Sequence, residues 1–505
     1  MTEEWADKMR FSSKCLRWLL LSSVLTIFPL GLQVVSGLDG GLNVGLSLVG
    51  MAFAYGDETN AESDKADKRK FQNAKTRKRQ SVGQKCATKL EAVQNALGGE
   101  GDGGEGEGSE GEPNNQQLSG LITQLNGFMT KSCSSSYEKS QVYNLLGFVY
   151  YSLDDYPKAT DSYRAMVAEP DVDERQKIDT FYTLAQLYLM LEDYRSAAQQ
   201  LEAWMTASAI VSPDGKVLLA QAYYQLDRKA EALKLVSSAI ESVEAKGGIP
   251  KEHWWSLQKV LYFERTASKG KTKDSQGKTG DYQKVVSILK KLITYYPSHS
   301  YWHQLGGMYG QMEEEGHRLA SLDILYLDKA LTKSRDLMSL AYLYLGAGVP
   351  NRAAQIIEEG MKQGVVKRSG KNMETLGGAW QQARETKKAL VALEEAAKLS
   401  DKGAIWSRLA MVYLDLNEHA KAVHAARNAL KKGNLKKPSY TQMTLGNALV
   451  NLHCYEDAVE VFRDAAKDQK GRVTAEKWVE YVSGEAIRRD RLIESGVKIG
   501  GCQLL

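Results

Sequence analysis

The sequence predicts an all-α protein, a solenoid of stacked helical hairpins, and three observations carry that prediction. One pattern returns nine times between Tyr143 and Ala465: a leucine, usually a small residue, a large residue three further on, and an alanine about nine beyond that. A fixed period of about 35 residues marks a stacked repeat. Inside each copy the apolar residues are spaced by three and four, which places them on one face of a helix. Proline is rare, 9 in 505 residues, while tyrosine is abundant at 25, the composition of long helices with few breaks and many large knobs.

The chain opens with a basic stretch, Lys8, Arg10, Lys14 and Arg17, and from Trp18 to Ala54 the only charge is Asp39. Ala52-Phe53-Ala54 before Tyr55 is a small-x-small sequence of the type signal peptidase cuts. Residues 1–54 therefore read as an export signal, with an uncleaved inner-membrane anchor over residues 18–35 as the alternative. Cys15 precedes the apolar run and does not read as a lipoprotein cysteine. Residues 55–82 follow as a basic, disordered linker with Lys68, Arg69, Lys70, Arg77, Lys78 and Arg79 and no apolar period. Residues 83–139 read as a degenerate helical unit, whose halves, Cys86 to Leu97 and Leu118 to Met129, are opened by a Gly- and Glu-rich loop, 98–112. That loop has six acidic residues and no apolar ones, so it has nothing to bury.

Residues 140–470 hold the repeats. The first two run Leu146, Gly147, Tyr150, Ala159, Tyr163 and Leu184, Ala185, Tyr188, Ala197, Leu201; the third has Leu219, Ala220, Tyr223 and Ala232. The fourth is split, with Trp254, Leu257 and Leu261 before a polar insert at 267–280 and Tyr282, Val285 and Leu289 after it. Leu305, Leu340, Leu376, Leu409 and Leu445 begin the remaining five. Gly or Ala recurs where two helices must approach closely, and the bulky residues fill the space beside them. Residues 471–505 complete the chain as a capping helix and tail. This pattern resembles the tetratricopeptide repeat, whose units are antiparallel helix pairs.

Catalytic signals are thin. Gly277-Lys278-Thr279 ends like a phosphate-binding loop, but the position five residues before Gly277 is Thr272 rather than glycine, and helices flank the segment. His299 and His303 are four apart, yet no Cys or carboxylate completes a metal set. No Gly-x-Ser-x-Gly elbow is present. The sequence thus implies no enzyme, cofactor or metal, and the net charge of +4 makes no general case for nucleic acid. Removal of residues 1–54 would leave four cysteines. Cys86 and Cys133 flank the opened unit, Cys454 and Cys502 the last repeat and the tail, so each couple could form a disulfide; spacing alone leaves the pairing open.

A narrower resemblance lies mid-chain. Ser300-Tyr301-Trp302-His303-Gln304-Leu305-Gly306-Gly307-Met308-Tyr309-Gly310-Gln311-Met312-Glu313, with Gly348-Val349-Pro350, is similar to exported tetratricopeptide proteins of proteobacteria found with TonB, ExbB and ExbD components. That resemblance implies a periplasmic scaffold accessory to TonB-dependent energy transduction and outer-membrane uptake. Its partners would be other envelope proteins, TonB, ExbB or ExbD among them, and its membrane contact would run only through the N-terminus, if that is uncleaved. Scaffolds for cell-wall synthesis, secretion or cytochrome assembly are the alternative class.

First helices of such pairs line the inner side of a solenoid. The residues expected to face a peptide-binding groove there are Asn144, Tyr151, Tyr182, Gln186, Gln221, Tyr224, Gln225, His303, Gln311, Tyr342, Gln381, Gln382, Asn447 and Asn451. Tyr, Gln and Asn suit the capture of an extended or helical peptide through aromatic area and amide hydrogen bonds. The groove lacks the Lys and Asn set of a chaperone carboxylate clamp, which disfavours a C-terminal acidic peptide.

Overall fold

The computed structural model describes residues 81–97, 114–269, 275–469 and 471–502, and these are helical with no strand among them. The stretch expected to be an export signal, the expected linker up to residue 80 and the acidic segment 98–112 lie outside the described residues. Two compact units divide the chain, 1–288 and 289–505.

The first unit begins with α1 (Gln84–Ala96) and α2 (Asn115–Lys131). Three hairpins follow: α3 (Ser136–Ser152) with α4 (Tyr156–Ala168), α5 (Glu174–Met190) with α6 (Tyr194–Ala207), and α7 (Pro213–Gln225) with α8 (Lys229–Glu244). Then comes α9 (Glu252–Lys269), and α10 (Ser275–Tyr295) spans the boundary between units. Helix reaches further into the polar insert than the sequence suggests, to Lys269 on one side and from Ser275 on the other. No proline lies between Pro250 and Pro297, and extending an existing helix needs no new nucleus. Gly277-Lys278-Thr279 accordingly sits in helix α10 rather than in a phosphate-binding loop.

The second unit stacks α11 (His299–Gln311) on α12 (Glu315–Leu327), α13 (Ser334–Gly346) on α14 (Pro350–Lys362), α15 (Gly370–Gln382) on α16 (Thr386–Lys398), α17 (Gly403–Asp415) on α18 (His419–Lys432) and α19 (Pro438–Asn451) on α20 (Tyr455–Ala465). Helix α21 (Arg472–Glu494) closes against α20, where Trp478 stacks on the fully buried Phe462 with ring centroids 5.4 Å apart. Each second helix also packs on the first helix of the next hairpin.

Small residues set the hairpin spacing. A Cβ added to Gly377 would lie 2.6 Å from Leu393 Cγ, and one on Gly446 would lie 2.5 Å from the Phe462 ring, so both helices approach to a distance only glycine permits. The turns are equally regular. In each of the eight described ones a single residue adopts a left-handed conformation: Asp154, Glu192, Asp227, Glu313, Arg384, Asn417 and His453 with φ of 58 to 64°, and Gly348 at 74°. The next residue's N–H then returns 2.8 to 3.0 Å to the carbonyl of the repeat's large residue, for example Arg228 to Tyr223 and Glu385 to Trp380. This bond satisfies a carbonyl that the helix end would orphan.

Candidate functional site

The repeat aromatics hold one hairpin to the next through their polar tips. Tyr223 donates to Glu202 Oε1 at 2.7 Å, Trp380 Nε1 to Glu358 at 2.9 Å, and Tyr413 to Glu394 at 2.6 Å; each acceptor lies on the second helix of the preceding hairpin. Cations sit over the same rings, Arg228 3.7 Å from the Tyr223 centroid and Lys388 4.4 Å from that of Trp380. Burial, then the Glu202 bond, pushes the Tyr223 hydroxyl up to about 12. These glutamates were not anticipated from sequence. Their signal was a Glu 19 to 22 residues before a repeat aromatic, which only the stacking register gives meaning.

Successive first helices also bond directly to one another. Gln141 and Gln176 exchange amide hydrogen bonds of 2.8 and 3.1 Å, Tyr224 donates to Glu264 at 2.9 Å, and Ser407 meets Thr441 at 2.6 Å. Part of the face expected to meet a partner is thus engaged in contacts within the fold, those of Tyr182 and Tyr224 included. Tyr182 packs its ring on buried Trp204, centroids 5.2 Å apart, and burial raises its hydroxyl pKa. Tyr224 is half-buried with its hydroxyl on Glu264; burial, then that carboxylate, raises its pKa as well. Tyr182 thus gives its ring to packing, while Tyr224 gives its hydroxyl to a bond between successive first helices.

The other expected residues divide by unit. In the first, Asn144, Tyr151, Gln186, Gln221 and Gln225 are half-buried; Tyr151 leans on Tyr156 at 5.8 Å, and the Gln221 side-chain oxygen is buried with no hydrogen-bond donor. In the second, Tyr342 is 47% exposed and makes only a long 3.4 Å contact to Thr375, while Gln311, Gln382 and Asn451 are exposed and His303, Gln381 and Asn447 half-buried. Asn451 donates back to the Asn447 carbonyl at 2.8 Å. Tyr342 therefore presents the largest accessible aromatic of the set.

Cys86 is bonded to Cys133 with Cα atoms 5.1 Å apart, and Cys454 to Cys502 at 4.4 Å. The histidines turn elsewhere than to a metal: His299 Nε2 lies 3.4 Å from Asp328, and His317 stacks on Tyr309. Among the described residues no group of three His, Cys, Asp or Glu side chains is placed to hold a metal, and no helix is long and apolar enough to cross a membrane.

A tetratricopeptide-repeat family model matches residues 274–439. No curated protein matches the chain in sequence. Among solved structures, similarity is found to the MamA protein, 20% identical, covering 35% of this chain and 94% of that one with a TM-score of 0.30. The tetratricopeptide protein YrrB is 14% identical over 39% of this chain and 89% of its own, with a TM-score of 0.30. Yeast Tom70 is 11% identical over 81% of this chain and 97% of its own, with a TM-score of 0.29. The class is thus a tetratricopeptide-type helical-hairpin solenoid, a repeat that suggests protein partners.

Proposed function

We propose that this chain is a protein-binding scaffold exported to the periplasm and accessory to TonB-dependent uptake. The observation that carries the binding reading is the repeated hairpin with accessible aromatic and amide side chains on the first helices of the second unit, Tyr342, Gln311 and Gln382 among them. Two cysteine couples within bonding distance support an oxidising compartment, where such bridges persist. The TonB role rests on the mid-chain resemblance around Gly306-Gly307-Met308-Tyr309.

Location is tested by fusing alkaline phosphatase after residue 505. Export predicts an active fusion, and an inactive one with an intact cytoplasmic N-terminus would reject it. Crosslinking in intact envelopes followed by affinity recovery should then return envelope proteins, and Tyr342→Ala with Gln382→Ala should weaken that capture by about 2 kcal/mol without loss of helix. Normal growth on a TonB-dependent siderophore in a strain lacking the gene would count against the TonB role while leaving the scaffold reading intact.

A further inference from the structure

We propose that the edge of the second unit where each hairpin turns into the next is a docking surface for an acidic polypeptide segment. This edge is separate from the inner helix faces, so it stands or fails independently of the function proposed above.

The inter-hairpin turns lie side by side. A Cβ on Gly370 would meet Ser400 at 2.8 Å, one on Gly403 would meet the Gly433 carbonyl at 2.3 Å, and Ser439 donates to Asp468 at 2.5 Å. At the start of this row, the Tyr326 hydroxyl near the end of α12 bonds Glu359 near the end of α14. Lys333, Lys367, Lys371, Lys402 and Lys436 stand exposed along it, with no carboxylate at salt-bridge distance among the described residues. Lys437 lies 5.0 Å over the ring of Tyr440, itself 63% exposed. The carboxylates of the edge are already engaged: Glu395 by Arg368, Asp401 by Lys432 at 2.8 Å, Asp464 by Lys467 at 2.7 Å, Asp336 by Arg335 at 3.5 Å and Asp328 by His299 at 3.4 Å. Glu359 and Asp468 bond neutral hydroxyls and keep their charge, but the exposed lysines outnumber them, so the balance on the edge is positive.

Folding gives no reason for that arrangement. Lys333, Lys402 and Lys437 occupy the N-cap positions of α13, α17 and α19, and none supplies a capping hydrogen bond. Ser298 and Ser369 cap the other two first helices of the second unit, α11 and α15, and in the first unit the same positions are Ser135, Asp173 and Ser212, each accepting from the helix backbone. A lysine there leaves the first N–H groups without a side-chain acceptor and opposes the positive end of the helix dipole. Carboxylates arriving from a partner would supply both the acceptor and the counter-charge. One cationic group per turn suits a chain running along the row, and Leu399 (52% exposed) and Tyr440 between the lysines offer it apolar contact. A nucleic acid fits less well, because the chain's net charge is only +4 and the comparable turn in the first unit carries Glu169, Asp171, Asp173 and Glu174.

The chain contains a segment of the right chemistry, residues 98–112 with six acidic side chains, which serves as a probe. A labelled peptide of that sequence, titrated into full-length protein whose own six acidic residues there are changed to amides, should bind and should be released as salt is raised from about 0.05 to about 0.5 M. Lys333→Asp, Lys402→Asp and Lys437→Asp together should raise the melting temperature by restoring the caps, yet weaken peptide binding about tenfold or more. No binding by the lysine-bearing protein, unchanged binding by the triple variant, or tighter binding to duplex DNA or anionic lipid vesicles than to the peptide would each overturn the proposal.

Discussion

At Gly377 the fold depends on the absence of a side chain. Leu393 lies 2.6 Å from where a Cβ would go, so Gly377→Leu should force α15 and α16 apart and cost about 1 to 3 kcal/mol through overpacking. Gly307 is the control: it is exposed in mid-helix with nothing near its absent Cβ, so Gly307→Ala should stabilise by about 0.5 to 1 kcal/mol through helix propensity alone. Urea midpoints of the two variants moving in opposite directions would establish the distinction, and equal shifts would remove it. The repeat itself made Gly377 legible, because it occupies the small position after leucine. The same reasoning could not foresee that Tyr182 would lie on Trp204, since a residue one step off the core stripe can swing to either side. Lys259 is a second residue of this kind. Burial lowers its pKa from 10.5 to about 8 on α9. Between those values the unfolded chain holds a proton the folded one has released, so stability should rise as pH climbs from about 8 toward 10. Lys259→Met should lack this rise, and chemical denaturation of both proteins at pH 7 and 9.5 reads it; parallel pH profiles would refute it.

Among the elements, the turn within each hairpin carries a cost that the sequence leaves in place. Seven of the eight described turns put a non-glycine residue at positive φ, where an L side chain crowds its own backbone. Arg384 has no structural need of its side chain there, so Arg384→Gly should stabilise by up to about 1 kcal/mol, and Gly348→Ala should lose about as much. Thermal melts of the two single variants decide it, and a destabilised Arg384→Gly would show that its side chain does more than turn the chain. The hairpins were legible from the leucine-to-aromatic spacing, whereas the capping box of Ser135 with Glu138 emerges only in the structure. The cation row was not legible either, because a lysine before a helix looks like ordinary solvated surface until neighbouring turns are seen side by side.

Over the whole molecule, two disulfides of almost equal loop length, 47 and 48 residues apart in sequence, hold very different things. Chain-entropy reasoning alone would assign them equal value. Cys86–Cys133 lies inside the cluster of Leu90, Val93, Leu118, Leu121 and Leu125, and beyond that cluster α1 and α2 are held by Lys89, which donates to Ser132 at 2.8 Å and lies over the Phe128 ring, and by the Gly83 N–H bond of 2.8 Å to Glu138. Burial alone would raise the Glu138 carboxyl, but backbone N–H groups of Ser135 and Gly83 reverse this and hold it below the ordinary range, so that tie weakens as the carboxylate protonates in acid. Cys454–Cys502 ties down mainly the tail after α21. That helix keeps the Trp478 stack on Phe462 and the Arg489 pair with Glu456 whether or not the bridge exists. In a repeat array damage is local, since each unit is held chiefly by its neighbours. Cys86→Ser with Cys133→Ser should therefore cost α1 and α2 about 2 to 5 kcal/mol of protection. Cys454→Ser with Cys502→Ser should free only the last residues and leave α21 protected. Hydrogen exchange followed by peptide mass analysis separates the two outcomes. Equal loss of protection at both ends would mean that loop length, and not what each bridge packs against, decides its contribution.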